Sequence, residues 1–130
     1  LRQDKIEARM LYIQNQNVIY PIQCAKVSHI LASNRSMEVC LNNGGKYPVR
    51  YVTLQQLLEA ADVWYFLQCS RSGIINANYV RNIDYTNRVI TMCNSDQIAI
   101  GSTYVRSLHE QFPTMQELWQ RRQNRRMFFE

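Results

Sequence analysis

The chain has 130 residues, with 15 basic and 10 acidic side chains and a formal net charge of +5. This length suits one domain with its own hydrophobic core, and no apolar run approaches the ~18 residues of a membrane helix, so a membrane span is excluded. Twelve of the 15 basic residues are arginines, whose flat, permanently charged side chains favour polyanions. The chain begins with Leu, and residues 1–9 are too charged for a secretory signal, so we expect a piece of a longer protein.

The first half of the chain predicts short antiparallel strands. Apolar and β-branched runs predict these strands over residues 10–14, 18–22, 37–41 and 46–51. The turn Asn42-Asn43-Gly44-Gly45 indicates a hairpin, because Asn and Gly tolerate positive φ. Pro48 cannot donate a ladder hydrogen bond, so its strand is expected at a sheet edge or a bulge.

A helix and more strands come next. Thr53-Leu54-Gln55-Gln56 forms a capping box, after which apolar residues recur on one helical face. Further strands are predicted over residues 64–67, 80–85, 88–93 and 97–100. The pattern therefore predicts a mostly β architecture with one helix between two groups of strands.

The C-terminal part predicts helices. A helix over residues 102–112 ends before Pro113, and Thr114 caps another that carries several arginines. Its apolar residues Met115, Leu118 and Trp119 are expected to cluster.

The sequence offers little for metal binding or disulfides. Four cysteines, at positions 24, 40, 69 and 93, are far apart without a C-x-x-C pair, and the two histidines stand alone. Neither a zinc site nor a disulfide framework is therefore expected. Free thiols are typical of a reducing compartment, so we expect a cytoplasmic protein without a metal or cofactor.

One segment, Cys69-Ser70-Arg71-Ser72-Gly73, could hold a nucleophile beside a cation. A phosphatase-type loop would need an arginine six residues after the cysteine, where this chain has Ile75. No partner base is identifiable. We interpret Cys69 as the end of a buried strand and expect no enzymatic activity.

Two arginines stand out by their neighbours. Arg35 lies in Ala-Ser-Asn-Arg-Ser and Arg71 in Ser-Arg-Ser-Gly, each between strand-like runs. Such a loop can enter a DNA groove, with Arg reading a guanine edge while Ser and Asn hold phosphates. The alternative is that both are ordinary solvated surface charges.

Four segments in register resemble the LytTR family of bacterial DNA-binding domains. The central one, residues 65–80, reads YFLQCSRSGIINANYV and resembles the family's Phe-x-Arg-x-His-Arg/Asn-Ser-Tyr/Phe-Ile-Val-Asn signature. Residues 25–32, 51–57 and 98–104 resemble its strand entry, its helix start and its last strand. We take residues 9–112 as the domain, preceded by a linker at residues 1–8 and followed by a basic helical extension at residues 113–130.

The resemblance implies an elongated, mostly antiparallel β fold that sends loops into successive major grooves of promoter DNA, with a third contact over the minor groove between them. Carried over onto this chain, the DNA contacts are Asn34, Arg35, Ser36, Ser70, Arg71, Ser102 and Thr103. We expect Arg35 and Arg71 to read sites one helical turn, ~34 Å, apart.

The resemblance also implies a role and partners. The role is transcription regulation as the output domain of a response regulator or similar sensor protein. The partners are double-stranded promoter DNA, an upstream receiver or sensor domain, and a second copy of the domain on repeated half-sites.

Several positions depart from the family pattern. Gln68 and Ser70 stand where Arg and His are frequent, Gly73 replaces an aromatic residue, and Gly101-Ser102-Thr103 lacks a basic residue. These departures leave open an alternative, a protein–protein interaction module on the same β scaffold with degenerate DNA loops.

The tail has two interpretations. It is either a solvated helix packed by its apolar residues or an additional phosphate clamp. The clamp would use Arg121, Arg122, Arg125 and Arg126.

Overall fold

The computed structural model describes residues 9–34 and 36–129. The strands are β1 Met10–Asn15, β2 Val18–Gln23, β3 Val27–Ser33, β4 Ser36–Leu41, β5 Lys46–Val49, β6 Phe66–Ser70, β7 Gly73–Asn76, β8 Val80–Asp84, β9 Val89–Met92 and β10 Gln97–Ala99. The helices are α1 Leu54–Ala61, α2 Val105–Gln111 and α3 Met115–Phe129. The predicted mostly β fold, with one helix between strand groups and helices at the C-terminus, is confirmed.

The strands form three antiparallel sheets. β1 and β2 make a hairpin, β5-β4-β3-β7-β6 make a five-stranded sheet, and β10-β9-β8 make a three-stranded sheet. The strand that contains Pro48 lies at the edge of the five-stranded sheet, as its missing N–H predicts. The pairing of β3 with β7 joins segments more than 40 residues apart in the chain.

Two cores lie on opposite faces of the five-stranded sheet. On one face, the β1–β2 hairpin and α1 cover a core that includes Ile30 and Ile74. On the other face, the three-stranded sheet and α2 cover a core that includes Ile75, Ile90 and Leu108. Because neighbouring residues of β7 enter different cores, this strand is buried on both faces.

The first helix forms as the capping box predicts. The Gln56 N–H donates to Thr53 Oγ1 at 3.0 Å, and the Thr53 N–H donates to Gln56 Oε1 at 3.0 Å. Leu54, Leu57 and Ala61 are buried on the face toward the first core. Two donors that the helix would otherwise leave unpaired are thereby satisfied.

Two predictions for strands and helices were wrong in their bounds. The strand predicted over residues 64–67 begins at Phe66 and continues to Ser70, leaving Trp64 71% exposed. The helix predicted from residue 102 begins at Val105, since Ser102–Tyr104 form a single 3₁₀ turn.

The contacts that attach the C-terminal helix to the rest of the fold differ from the predicted ones. The Glu117 N–H donates to Thr114 Oγ1 at 3.1 Å, which confirms the predicted cap. Met115 is 79% and Trp119 57% exposed, so the expected apolar cluster is absent from the described residues of α3. Instead, the Arg121 guanidinium donates to the carbonyl oxygens of Glu110 at 3.3 Å and His109 at 3.5 Å, which ties α3 to the end of α2.

No helix in the described part of the chain is long and apolar enough to cross a membrane.

A buried histidine connects the five-stranded sheet to the β9–β10 turn. His29 is 2% exposed, and its Nε2 lies 3.6 Å from Asp96 Oδ2. Burial lowers the pKa of His29, and the nearby Asp96 opposes that shift. The folded protein therefore holds this imidazole in its neutral form more firmly than the unfolded chain does.

We expect this histidine to make stability fall as the pH decreases. Below pH ~6.5 the unfolded chain binds a proton at His29 before the folded chain does, so the free energy of unfolding decreases by up to ~1.4 kcal/mol per pH unit until the folded pKa is reached. Urea unfolding of the wild type and His29→Gln at pH 7.5 and 5.5 measures this difference. An equal loss of stability in both proteins would contradict the prediction, whatever the variant costs at pH 7.5.

Candidate nucleic-acid interface

Two hairpin turns meet at one end of the five-stranded sheet. The turn after β3 closes at the pair Ser33 and Ser36, and the turn between β6 and β7 contains Arg71 and Ser72. β3 and β7 are antiparallel neighbours, so the end of one lies beside the start of the other. The Ala32 N–H donates to the Ser72 carbonyl at 2.8 Å, which joins the two turns.

The first turn places polar groups at this end. Asn34 adopts a positive φ of 43°, which Asn tolerates better than most residues, and it is exposed. Ser33 and Ser36 are exposed, with their hydroxyl oxygens 3.3 Å apart. Arg35 lies outside the described residues.

The second turn is braced by its own side chains. The Ser72 N–H donates to Ser70 Oγ at 3.2 Å, and Gln68 Nε2 donates to the Ser70 carbonyl at 3.0 Å. A Cβ on Gly73 would lie 3.0 Å from Ser70 Oγ and 3.1 Å from Cys69 Sγ. The absence of a side chain at Gly73 therefore permits this close packing. Arg71 is exposed at the tip.

A third segment lies along the outer edge of β6. The Gly101 N–H donates to the Cys69 carbonyl at 2.9 Å, and the Tyr104 N–H donates to the Gly101 carbonyl at 2.9 Å. A Cβ on Gly101 would lie 3.4 Å from the Cα of Ser70, so the backbones approach closely. Ser102 and Thr103 are both exposed beside Ser70.

The three segments lie in a row across the strands. The Asn34 turn and the Arg71 turn are two strand spacings, about 10 Å, apart, and Ser102 lies about 7 Å farther along. Successive major grooves are ~34 Å apart. The backbones of these two turns therefore lie closer together than the separation of one helical turn that is expected for the DNA sites of the Arg35 and Arg71 loops.

Four described arginines border this end of the sheet: Arg50, Arg71, Arg88 and Arg106. Each is exposed, and the ion pairs found within the described ranges involve other residues. An open depression of about 680 Å³ connects Arg71, Asn34 and Ser36 to Arg50, and no acidic side chain of the described residues lines it. The electrostatics favour an anionic ligand.

Sequence reasoning missed three of these arginines, Arg50, Arg88 and Arg106. The Arg88 carbonyl accepts a hydrogen bond from the Ile100 N–H at 2.9 Å, so Arg88 lies next to the third segment. Arg106 follows Thr103 by three residues and lies in the first turn of α2. The helical spacing of Arg106 from Ser102 and Thr103 could have identified this arginine from the sequence. Arg88 could not have been found in this way, because only the register of the three-stranded sheet places it next to the third segment.

The cysteines are not arranged for nucleophilic chemistry. Cys69 is fully buried in the second core, and burial raises its pKa to about 11. A thiol of this pKa stays protonated at neutral pH and is a poor nucleophile. The four cysteines, all in described positions, are free, and no metal-binding group of His, Cys, Asp or Glu occurs among residues 9–34 and 36–129.

The basic tail lies apart from the three segments. α2 starts beside Ser70 and runs along β6, and the groove between them includes Phe66 and Gln111 at the other end of that strand. Arg121 caps α2 there, with its guanidinium bonded to the carbonyl oxygens of Glu110 and His109. Arg122, Arg125 and Arg126 are exposed.

Comparisons with known proteins find similarity to one domain type. The family model of the LytTr DNA-binding domain matches residues 17–113. Among solved structures, a Bacillus cereus LytTr DNA-binding domain, from a protein described as a methyl-accepting/DNA response regulator, matches with a TM-score of 0.68 at 18% identity, covering 82% of this chain and 98% of that one. No curated protein matches significantly.

Proposed function

Because the chain belongs to the LytTR family of DNA-binding domains, we propose that it recognises a specific duplex sequence with the row of three segments at one end of its five-stranded sheet. The observation that carries this proposal is the alignment of exposed Asn, Ser, Thr and Arg side chains on braced turns. Four arginines border this row, and no described acidic residue lines its depression. The braced turn between β6 and β7 limits the ordering cost on binding.

The spacing of the segments supports an assignment to grooves. Major grooves repeat every ~34 Å and are ~12 Å wide, so the facing edges of two successive ones lie about 22 Å apart. The Asn34 turn and the Ser102–Thr103 segment are about 17 Å apart at the backbone, and outward side chains extend this span. In this assignment they enter successive major grooves, and Arg71 faces the minor groove between them.

The biological role that fits is transcription regulation in bacteria. The similar Bacillus cereus domain belongs to a protein described as a response regulator, and its fold is shared here. We propose residues 9–112 as the DNA-binding output domain, residues 1–8 as a linker from an upstream receiver or sensor domain, and two copies on repeated half-sites. Residues 113–130 form a basic extension in this proposal.

We expect Arg71→Ala to weaken binding to a selected duplex by about 5- to 150-fold, the ~1–3 kcal/mol typical of a groove arginine. Arginine favours the narrow minor groove of A·T-rich DNA, so the variant should also lose A·T preference at the centre of the site. Fluorescence anisotropy on a site chosen from random DNA measures the affinity, and repeated selection measures the preference.

The matched control is Lys26→Ala. This exposed lysine precedes β3 and therefore lies at the opposite end of the sheet, so its loss changes the net charge equally without touching the row. If Arg71→Ala and Lys26→Ala weaken binding to the same small extent, Arg71 contributes to the affinity only through the net charge of the protein. A wild-type protein that binds no duplex would favour the protein–protein module instead.

The basic tail should contribute equally to the affinity for every DNA sequence. Replacing Arg122, Arg125 and Arg126 with Gln should lower the affinity for selected and random duplexes by the same factor, about 2- to 5-fold, because phosphate contacts carry no base information. Arg121 is kept because it caps α2. Titrations of both duplexes check this, and a change in the ratio of the two affinities would refute the assignment.

A further inference from the structure

The loop between β5 and α1 carries an exposed tyrosine in an unfavourable backbone conformation. Tyr51 is 97% exposed and has a φ of 68°, in the left-handed region that disfavours residues with a large side chain. Among the described residues its hydroxyl makes no hydrogen bond, and its ring lies within no aromatic pair. Neither packing nor hydrogen bonding in the fold explains why a tyrosine occupies this position.

The β5–α1 loop lies beside the row of three segments, at the end of the row that contains the Asn34 turn. β5 is the neighbour of β4 at the sheet edge, and Val49 at its end pairs with Met37 at the start of β4. The loop therefore emerges at the same end as the Asn34 turn, on the side away from Arg71. It extends the row by about 7 Å, which corresponds to roughly two base pairs of duplex DNA.

The loop and the row also share one surface. Arg50 and Tyr51 line the same open depression as Asn34, Ser36 and Arg71. Arg50 is exposed and has no ion pair within the described ranges. The depression is thus basic and continuous with the DNA-binding end, which is complementary to a phosphodiester backbone.

We propose that the β5–α1 loop is a fourth DNA contact, in which Arg50 binds a phosphate and the Tyr51 ring packs against the adjoining sugar. This inference rests on the proposed function and extends its footprint on the flank of the Asn34 turn. The contact positions the protein on the duplex and reads no base edge. The exposed, strained tyrosine is retained because it contributes to binding rather than to folding.

The test uses Tyr51→Gly and Arg50→Gln on the selected duplex. Glycine adopts a φ of 68° without strain, so Tyr51→Gly should raise the thermal midpoint by a few degrees while weakening binding about 3- to 10-fold. A loss of affinity in a more stable protein cannot result from unfolding. Arg50→Gln should weaken binding to a similar extent and reduce the salt slope by about one.

Hydroxyl-radical footprinting should show protection shortened by about two nucleotides on one flank in both variants. The control is Trp64→Ala, an exposed aromatic residue that precedes β6 at the opposite end of the sheet, which should change neither affinity nor footprint. If both loop variants bind with wild-type affinity and footprint while Arg71→Ala is impaired, only the fourth contact is refuted. If Tyr51→Gly loses stability together with affinity, the loop supports the fold and the proposal also fails.

Discussion

Raising the salt concentration from 50 to 200 mM should weaken binding to duplex DNA by at least about 150-fold. Each phosphate neutralised by a basic side chain releases counterions, and the affinity falls with a slope of about −0.9 per contact on a double-logarithmic plot. Arg50, Arg71, Arg88 and Arg106 border the proposed interface, and these four contacts give a slope of about −3.6, which phosphate contacts of the tail would make steeper. Anisotropy titrations at several salt concentrations measure this slope.

The same titration with a random duplex provides the control, because phosphate contacts are shared by all sequences. A slope between zero and −1 for the selected duplex would show that the four arginines do not meet phosphates.

Replacing Asn76 with Ala should destabilise the fold by about 2–4 kcal/mol. Asn76 is fully buried, its Nδ2 donates to the Val27 carbonyl at 2.8 Å, and its Oδ1 accepts from the Asn78 N–H at 2.9 Å. Truncation leaves both backbone groups without these partners and creates a small cavity. The bonds join the end of β7 to the start of β3 and to the turn that leads into the three-stranded sheet.

Urea unfolding at pH 7.5 measures this loss, with Asn78→Ala as the control. Asn78 is exposed and contributes only its backbone N–H to the bond, so its replacement should change stability by less than ~0.5 kcal/mol. Equal losses in the two variants would mean that the Asn76 side chain is not the connection between these elements.

The sequence predicts the elements whose burial alternates or whose ends carry a specific signal. The β1–β2 hairpin, β4 and the capped helix α1 occur close to where the pattern places them. Strands β3 and β7 do not follow from alternation, because each has four consecutive buried residues, and β7 contributes residues to the cores on both faces of the sheet.

The candidate site was only partly predictable for a related reason. The turns with Asn34 and Arg71 carry local signals, since polar and small residues interrupt strand-like runs. Their distance apart depends on the pairing of β3 with β7, which no local pattern determines. The proximity of Ser102 to Ser70 likewise depends on the contact between Gly101 and the edge of β6.

The order of the protein segments along the DNA tests the central claim most directly. Sequences selected from random DNA by the wild type, Asn34→Ala, Arg71→Ala and Thr103→Ala would show which base pairs lose preference in each variant. We predict that Arg71→Ala affects the centre of the site, and that Asn34→Ala and Thr103→Ala affect opposite flanks within about one helical turn. The account would be contradicted if all three variants affected the same base pairs, or if the Arg71 position fell outside the other two.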